Sequence, residues 1–289
     1  VDVIRTAAAC RDRTAAWRAE GHGVGLVTTM GALHAGHASL LRRARAERDR
    51  VLATIFVNPA QFGAGEDLDR YPRDETADLA ICEREGVDAV WAPPLDEVYP
   101  PGADLPQPDP GPVGDTFEGR ERPGHFAGVL KVVHRYLDVA GPCHAYFGEK
   151  DAQQLFLIRK MVNQVDHLNE TVEIVGCPTI REPDGVALSS RNAYLGADER
   201  VQAGCLFLAL TEGAEAARAG ERDPNVLVAL MAREIGATPL ARLDYAAVVV
   251  DATFEPATTL DRPTRAIVAA AFPSARLIDN LALPRPPGV

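Results

Sequence analysis

Lysine is nearly missing from this chain: of 30 basic side chains, only Lys131, Lys150 and Lys160 are lysines. Either a lysine kept against that background serves a local need for a compact charge, or the three are the residue of a compositional bias. Cysteine is equally sparse. Cys10, Cys82, Cys143, Cys177 and Cys205 are odd in number, scattered and never spaced C-x-x-C, which excludes a disulfide framework or a structural zinc site and fits a reducing cytoplasm. Long apolar runs are absent as well. Runs such as Tyr245 to Val250 and Ala266 to Phe272 are far too short to span a bilayer. Arg5 to Arg18 mixes Arg, Asp and Ala without an apolar core, so no secretory leader is expected there. Positive charge is outweighed: 30 basic against 41 acidic side chains leave a net charge of -11 with no basic stripe, which excludes a primary role in binding nucleic acid. Neither a G-x-G-x-x-G fingerprint nor a G-x-x-x-x-G-K-[ST] loop occurs, so nicotinamide-dependent hydride transfer and P-loop kinase chemistry both lose ground.

What is present reads as globular. Hydrophobic residues make up 46% and charged residues 25% of 289, enough for two modest domains or one large one. Apolar runs at residues 24–28, 51–57 and 87–91 predict buried strands, and helical spacing at 37–48 and 75–85 predicts helices between them. That alternation predicts a parallel sheet. Proline-rich residues 93–112 predict an irregular excursion. Helices are expected over 128–137 and 152–162, with strands at 145–147 and 171–175. Beyond Cys177-Pro178 the texture changes to Ala- and Glu-rich helix over 198–219, a helix over 225–235, and strands at 243–250, 265–271 and 276–281. The expected architecture is α/β: a Rossmann-like parallel sheet with helices on both faces in residues 1–177, and a smaller C-terminal α+β domain in 178–289.

All seven histidines precede residue 168, so imidazole chemistry belongs to the first segment. Two of them, His34 and His37, lie in Met30-Gly31-Ala32-Leu33-His34-Ala35-Gly36-His37, between an expected strand and an expected helix. Ligands of open parallel sheets bind beyond the strands' carboxyl ends, where a helix start offers free N–H groups to phosphate. Imidazoles there can donate hydrogen bonds and protons. An ordinary polar turn would have the same letters. A second strand end carries Phe147-Gly148-Glu149-Lys150-Asp151-Ala152-Gln153-Gln154, where Lys150 suits a phosphate, Asp151 ribose hydroxyls and Gln154 a polar substrate; the plainer reading is Asp151 as a helix cap. The third segment, Leu188-Ser189-Ser190-Arg191-Asn192, sets two hydroxyls beside a guanidinium, a combination suited to a polyphosphate.

With Ile55 to Phe62, Asp69 to Arg73, Arg122 to Val129, Asp184 to Asn192 and Arg276 to Asn280, these segments run in order over nearly the whole chain, and in that order the sequence resembles the pantoate–β-alanine ligase (pantothenate synthetase) family of the HxGH nucleotidyltransferases, relatives of class I aminoacyl-tRNA synthetases. The resemblance implies ATP-dependent condensation of (R)-pantoate with β-alanine through pantoyl adenylate, releasing AMP and pyrophosphate, in a cytoplasmic homodimer that engages neither membrane nor nucleic acid. It implies catalytic roles for His37 (the proton donor), His34 and Lys150. Nucleotide contacts would come from Met30, Gly31, His34, His37, Gly148, Glu149, Lys150, Asp151, Ile180, Leu188, Ser189, Ser190 and Arg191. Pantoate would meet Gln61 and Gln154, with Gln61 also near β-alanine, and Mg²⁺ would accompany ATP with Asp78 as its protein-side contact. Thr28 replaces a proline, Lys131 a threonine, and His134-Arg135-Tyr136 a Lys-Leu pattern common in the family. Another HxGH adenylyltransferase, a class I aminoacyl-tRNA synthetase (disfavoured by a short, acidic chain) and a catalytically silent nucleotide-binding or sensor protein are the rival readings. AMP release dependent on both pantoate and β-alanine separates them.

Overall fold

The computed structural model describes residues 1–284; the last five residues of the expected C-terminal domain, 285–289, lie outside the described residues. The chain forms two compact units, Val1–Glu149 with Leu157–Pro178, and Lys150–Phe156 with Thr179–Val289.

The first unit contains β1 (Asp2–Ile4), α1 (Ala7–Ala19), β2 (Val24–Thr29), α2 (Ala35–Glu47), β3 (Arg50–Ile55), α3 (Glu75–Arg84), β4 (Ala89–Trp91), α4 (Leu95–Val98), α5 (Glu118–Glu121), α6 (His125–Ala140), β5 (Cys143–Gly148), α7 (Ala152–Gln164), α8 (Asp166–Asn169) and β6 (Val172–Cys177), the opening turn of α7 grouping with the second unit. Six parallel strands lie in the order β1-β4-β3-β2-β5-β6. Alternate residues of a strand face opposite sides. Val27, Val51, Ala53, Val90 and Tyr146 therefore pack with Leu40, Leu41 and Ala44 of α2 and Cys82 of α3. Trp91, one residue past Val90, meets Tyr136 of α6 edge-on with ring centroids 5.8 Å apart. Helices thus cover both faces, as expected for buried parallel strands.

The expected strands and helices are found with ends moved by a few residues. Two differences have physical causes. No element was read over residues 7–19, yet α1 forms there. Thr6 caps it by accepting from the Ala9 N–H at 3.2 Å, and only Cys10, Thr14 and Trp17 of a polar helix, with Ala7 at its start, are buried. The stretch 198–219, read as one helix, is two: α9 (Ala197–Gln202) and α10 (Cys205–Ala219), interrupted by a turn at Ala203-Gly204. The proline-rich excursion carries the single turn α4.

In the second unit α9, α10 and α11 (Pro224–Gly236) accompany the antiparallel sheet β7 (Arg242–Val250), β8 (Thr264–Ala271), β9 (Arg276–Ala282). Ala266, Val268 and Ala270 of β8 project at period two into a core with Leu206 and Leu210 of α10 and Leu227, Met231 and Ile235 of α11. Among the described residues no helix is long and apolar enough to cross a membrane.

Candidate active site

From β2 the sheet grows one way through β3 and β4 and the other way through β5 and β6, so the order reverses between β2 and β5. Those strands are neighbours, Val27 opposite Tyr146. A reversal of this kind opens a crevice beyond the carboxyl ends of the strands. The Met30–His37 turn leaves the end of β2, and Gly148-Glu149 the end of β5.

The turn after β2 is unusual backbone held by buried side chains. Gly31 has φ 81° and Ala32 φ 51°, the left-handed region that costs a residue with a Cβ. A Cβ on Gly31 would lie 2.8 Å from Asp78 Oδ2. Thr29 Oγ1 accepts from the Gly31 N–H at 3.1 Å and donates to the Thr54 carbonyl at 2.6 Å. Asp78, 3% exposed, accepts from the Ala32 N–H with Oδ2 at 3.0 Å and from the Leu33 N–H with Oδ1 at 2.7 Å. Burial raises its pKa, and the two backbone donors oppose that rise. Each Asp78 oxygen thus accepts one hydrogen bond from the turn.

The two histidines then start α2. His34 Nδ1 accepts from the Gly36 N–H at 3.1 Å, and His37 Nδ1 accepts from the His34 N–H at 3.3 Å, a reciprocal capping box with ring centroids 4.1 Å apart. An Nδ1 that accepts leaves the ring proton on Nε2. Both imidazoles thus carry their donor on the nitrogen away from the backbone, at the positive end of a 13-residue helix.

Gln61 ends a short 3₁₀ turn, Pro59–Gln61, that follows β3. Its Nε2 donates to Met30 Sδ at 3.0 Å, so the Gln61 and Met30 side chains meet. Four residues that the sequence reading left without a role, or did not single out, surround it. Asn58 donates to Gln61 Oε1 at 3.0 Å and Tyr99 donates to Asn58 at 2.8 Å. His125 and Arg122 converge on the Gln61 carbonyl at 2.9 and 3.4 Å. His125 is neutral, its pKa lowered to about 4 by burial and then by Arg122. Asn58, Arg122 and His125 had only their membership of matching segments as a sequence signal and Tyr99 had none; apart from Asn58–Gln61, the contacts span 41 to 64 residues.

In the second unit, Lys150 is half-buried with Nζ 3.7 Å from Asp151 Oδ1. Its carbonyl accepts from Asn280 Nδ2 at 2.8 Å, and Asn280 Oδ1 accepts from Arg265 at 2.6 Å. Asp279 beside it is gripped by both Arg181 terminal nitrogens at 2.5 and 2.9 Å. Burial raises the Asp279 pKa against Arg181 and the field of Lys150. A small pocket here is lined by Lys150, Val186, Ala187, Ser189 and Asp279. Ile180 is exposed; its carbonyl accepts from Leu188 at 3.0 Å, tying the start of the third segment to the chain before it. Ser189 Oγ caps the 3₁₀ turn Ser190–Tyr194 by accepting from Arg191 N–H at 3.3 Å. Gln154, like Asp151, Ser190 and Arg191, is half-buried.

A doubly wound parallel sheet with paired imidazole donors at a helix start beyond its switch point defines a nucleotide-binding enzyme of the HxGH type. The model of the family described as pantoate-beta-alanine ligase matches residues 2–282. The chain is 50% identical over 289 residues to a pantothenate synthetase of Rubrobacter xylanophilus, covering 98% of each, and 52% identical over 260 residues to one of Salinispora arenicola, covering 90% of each. Its fold is similar to the crystal structure of pantothenate synthetase from Thermus thermophilus, with TM-score 0.91 and 44% identity over 98% of this chain and 100% of that one. It is similar also to pantoate-beta-alanine ligase from Francisella tularensis, complexed with Beta-gamma ATP and Beta-alanine, with TM-score 0.79 and 30% identity over 98% and 97%. The chain belongs to the pantoate–β-alanine ligase family. It is an ATP-dependent ligase of pantothenate biosynthesis, joining pantoate to β-alanine.

Proposed function

We propose that the ligation runs through pantoyl adenylate. The (R)-pantoate carboxylate attacks the α-phosphorus of ATP, the bond to the β-phosphate oxygen breaks, and pyrophosphate leaves. The amine of β-alanine then attacks the acyl carbon, the carbon–oxygen bond to AMP breaks, and the amine sheds its proton as the amide forms. Both substrates of the first step are anions, so fixed donors and positive charge must meet the charge that develops. The observation that carries this reading is the pair of Nδ1-capped imidazoles at the start of α2, which leaves the ring protons on the two Nε2 atoms. His34 and His37 hold phosphate oxygens in this reading, with His37 delivering a proton to the leaving group. Met30, Gly31, Gly148, Glu149, Lys150, Asp151, Ile180 and Leu188 to Arg191 take the nucleotide roles that the family resemblance assigns to them. Gln61 and Gln154 bind pantoate, and Gln61 also adjoins β-alanine. The Francisella relative is complexed with Beta-gamma ATP and Beta-alanine, which supports a site that takes both a nucleotide and β-alanine.

Magnesium enters as the counter-ion of the nucleotide phosphates. Asp78, whose oxygens each accept one backbone hydrogen bond, would be its protein-side contact. A reducing cytoplasmic setting accords with five buried cysteines that form no disulfide. The homodimer of the family belongs to the proposal and is checked by light scattering.

ATP–pyrophosphate exchange tests the route: pantoate alone supports exchange, and AMP accumulates only when β-alanine is added. Release of ADP would replace the adenylate with an acyl phosphate.

A further inference from the structure

Asn58 is 1% exposed, and all four of its carboxamide hydrogen bonds are made. Oδ1 accepts from the Ala60 N–H at 3.2 Å and from the Tyr99 hydroxyl at 2.8 Å. Nδ2 donates to the Gly128 carbonyl at 3.1 Å and to Gln61 Oε1 at 3.0 Å. Two of these partners admit no choice. A backbone N–H only donates and a backbone carbonyl only accepts, so the Asn58 amide has one orientation. Turning it over would set N–H against N–H at Ala60 and oxygen against oxygen at Gly128. Burial also raises the Tyr99 pKa, keeping that hydroxyl a donor.

The consequence passes to Gln61. Facing a donor, its carboxamide must turn Oε1 inward, so Nε2 is the end directed at Met30, where it meets a thioether sulfur at 3.0 Å. Thioether sulfur is a weak acceptor, readily exchanged for an oxygen. The Gln61 backbone is pinned as firmly. Neutral His125 donates from Nδ1 to the Gln61 carbonyl at 2.9 Å while its Nε2 accepts from Arg122 at 3.1 Å. Glu66 grips Arg122 at 2.9 and 2.6 Å. A Cβ on Gly128 would stand 2.0 Å from the Ala60 carbonyl oxygen, so only glycine lets α6 approach this closely.

We infer that Asn58, backed by Tyr99, is a positioning residue that sets the polarity of Gln61, making it a hydrogen-bond donor to substrate and so selecting an acceptor oxygen, carboxylate or hydroxyl lone pair, in that place. This rests on the reading that Gln61 binds pantoate. An unconstrained glutamine presents either end of its amide at little cost. Here the wrong end would be presented only by breaking the Asn58 contact.

The test measures KM for pantoate and for ATP, with kcat, in the full chain carrying Gln61→Ala, Gln61→Glu, Asn58→Asp, Tyr99→Phe, or Asn58→Asp with Gln61→Ala; thermal melting monitors folding. Gln61→Ala raises the pantoate KM about tenfold, the scale of one lost hydrogen bond to a polar ligand. Gln61→Glu keeps the shape but turns an oxygen toward an anion, and is worse than Ala by roughly a further tenfold. Asn58→Asp forces Gln61 to turn its N–H inward and raises the pantoate KM about tenfold in the wild-type background, but by less than about twofold once Gln61 is Ala, because the two act as one. Tyr99→Phe gives a rise of about two- to fivefold. The ATP KM stays within about twofold throughout. Gln61→Glu no worse than Gln61→Ala, or full additivity of Asn58→Asp with Gln61→Ala, overturns the inference. An unchanged pantoate KM in Gln61→Ala overturns instead the reading on which it rests. Should Asn58→Asp fail to fold, the Glu-against-Ala comparison at position 61 decides alone.

Discussion

The Met30–His37 turn and the Leu188–Asn192 segment, both proposed above to meet phosphate, carry different kinds of hydrogen bond. In the first, left-handed backbone at Gly31 and Ala32 is gripped by side chains from other elements: Asp78 on α3, with Thr29 braced on Thr54 of the next strand. The second carries local hydrogen bonds of its own. Ser189 caps Arg191 two residues on, Asn192 donates to the Ala187 carbonyl at 3.0 Å, and Leu188 pairs with Ile180 across a short reversal at Gly185. Long-range buried contacts fix a backbone at the cost of adaptability, whereas local caps of exposed or half-buried residues open with little free energy. In the proposed function the first device suits fixed donors, and the second suits a segment that binds a polyphosphate and then releases it.

The largest expected effect breaks the first device. Asp78→Ala leaves the Ala32 and Leu33 N–H groups without their acceptor, at about 1–3 kcal/mol each. Melting should fall accordingly, and pantoate-dependent exchange should drop by about 10³-fold, because the turn that aims His34 loses its frame. A variant with near-normal exchange would show that the carboxylate is dispensable to the turn.

Lys150→Ala comes next and sharpens the contrast, since it removes charge and leaves the backbone in place. The Lys150 carbonyl bond to Asn280 survives the substitution. Thermal stability and far-UV circular dichroism stay nearly unchanged, while single-turnover adenylate formation falls by about 10²- to 10³-fold, the scale for one transition-state donor. Lys150→Arg recovers little, because a planar guanidinium spreads its charge and reaches further. Full rescue by arginine would reduce the role of Lys150 to charge without geometry.

A third test uses pH. Folded His125 has its pKa lowered to about 4, below the unfolded value of about 6.5. The unfolded chain therefore gains a proton first as pH falls. The stability that neutral His125 contributes is complete above pH 6.5 and is lost progressively as pH falls from there toward 4, up to about 3 kcal/mol. Melting measured between pH 4.5 and 7.5 should show this slope, and His125→Gln should flatten it. The second unit contains no histidine.

The smallest effect falls on the locally held segment. Ser189→Ala removes one cap and costs about 1 kcal/mol or less of local order. The ATP KM should rise severalfold with the pantoate KM unchanged. A loss as large as that of Asp78→Ala would erase the distinction between the two devices.

Much of this was legible in the residue order. Strands such as Val24–Thr29 and Arg50–Ile55 are continuous apolar runs closed by turn residues, and a glycine-bounded pair of histidines after such a run marks a helix start beyond a strand end. Those signals are local, written within a few residues of the feature they specify. Helix α1 left a weaker trace, because four buried side chains among thirteen make little periodicity. The break between α9 and α10 left none that its Ala- and Glu-rich composition could reveal.

What the sequence by itself determined, then, is the alternation that makes a parallel sheet, the place of the His34–His37 turn within it, and the family to which the ordered motifs belong. Only the tertiary structure decided what Asp78, Asn58, Tyr99, His125 and Asn280 do, and that Lys150–Phe156 is grouped with the unit that begins again at Thr179. Each of those five side chains acts through a hydrogen bond to a residue at least three, and in most cases more than forty, positions away. The worth of such a bond depends on burial and on which end of an amide or imidazole faces the partner, and neither is defined until the chain has folded.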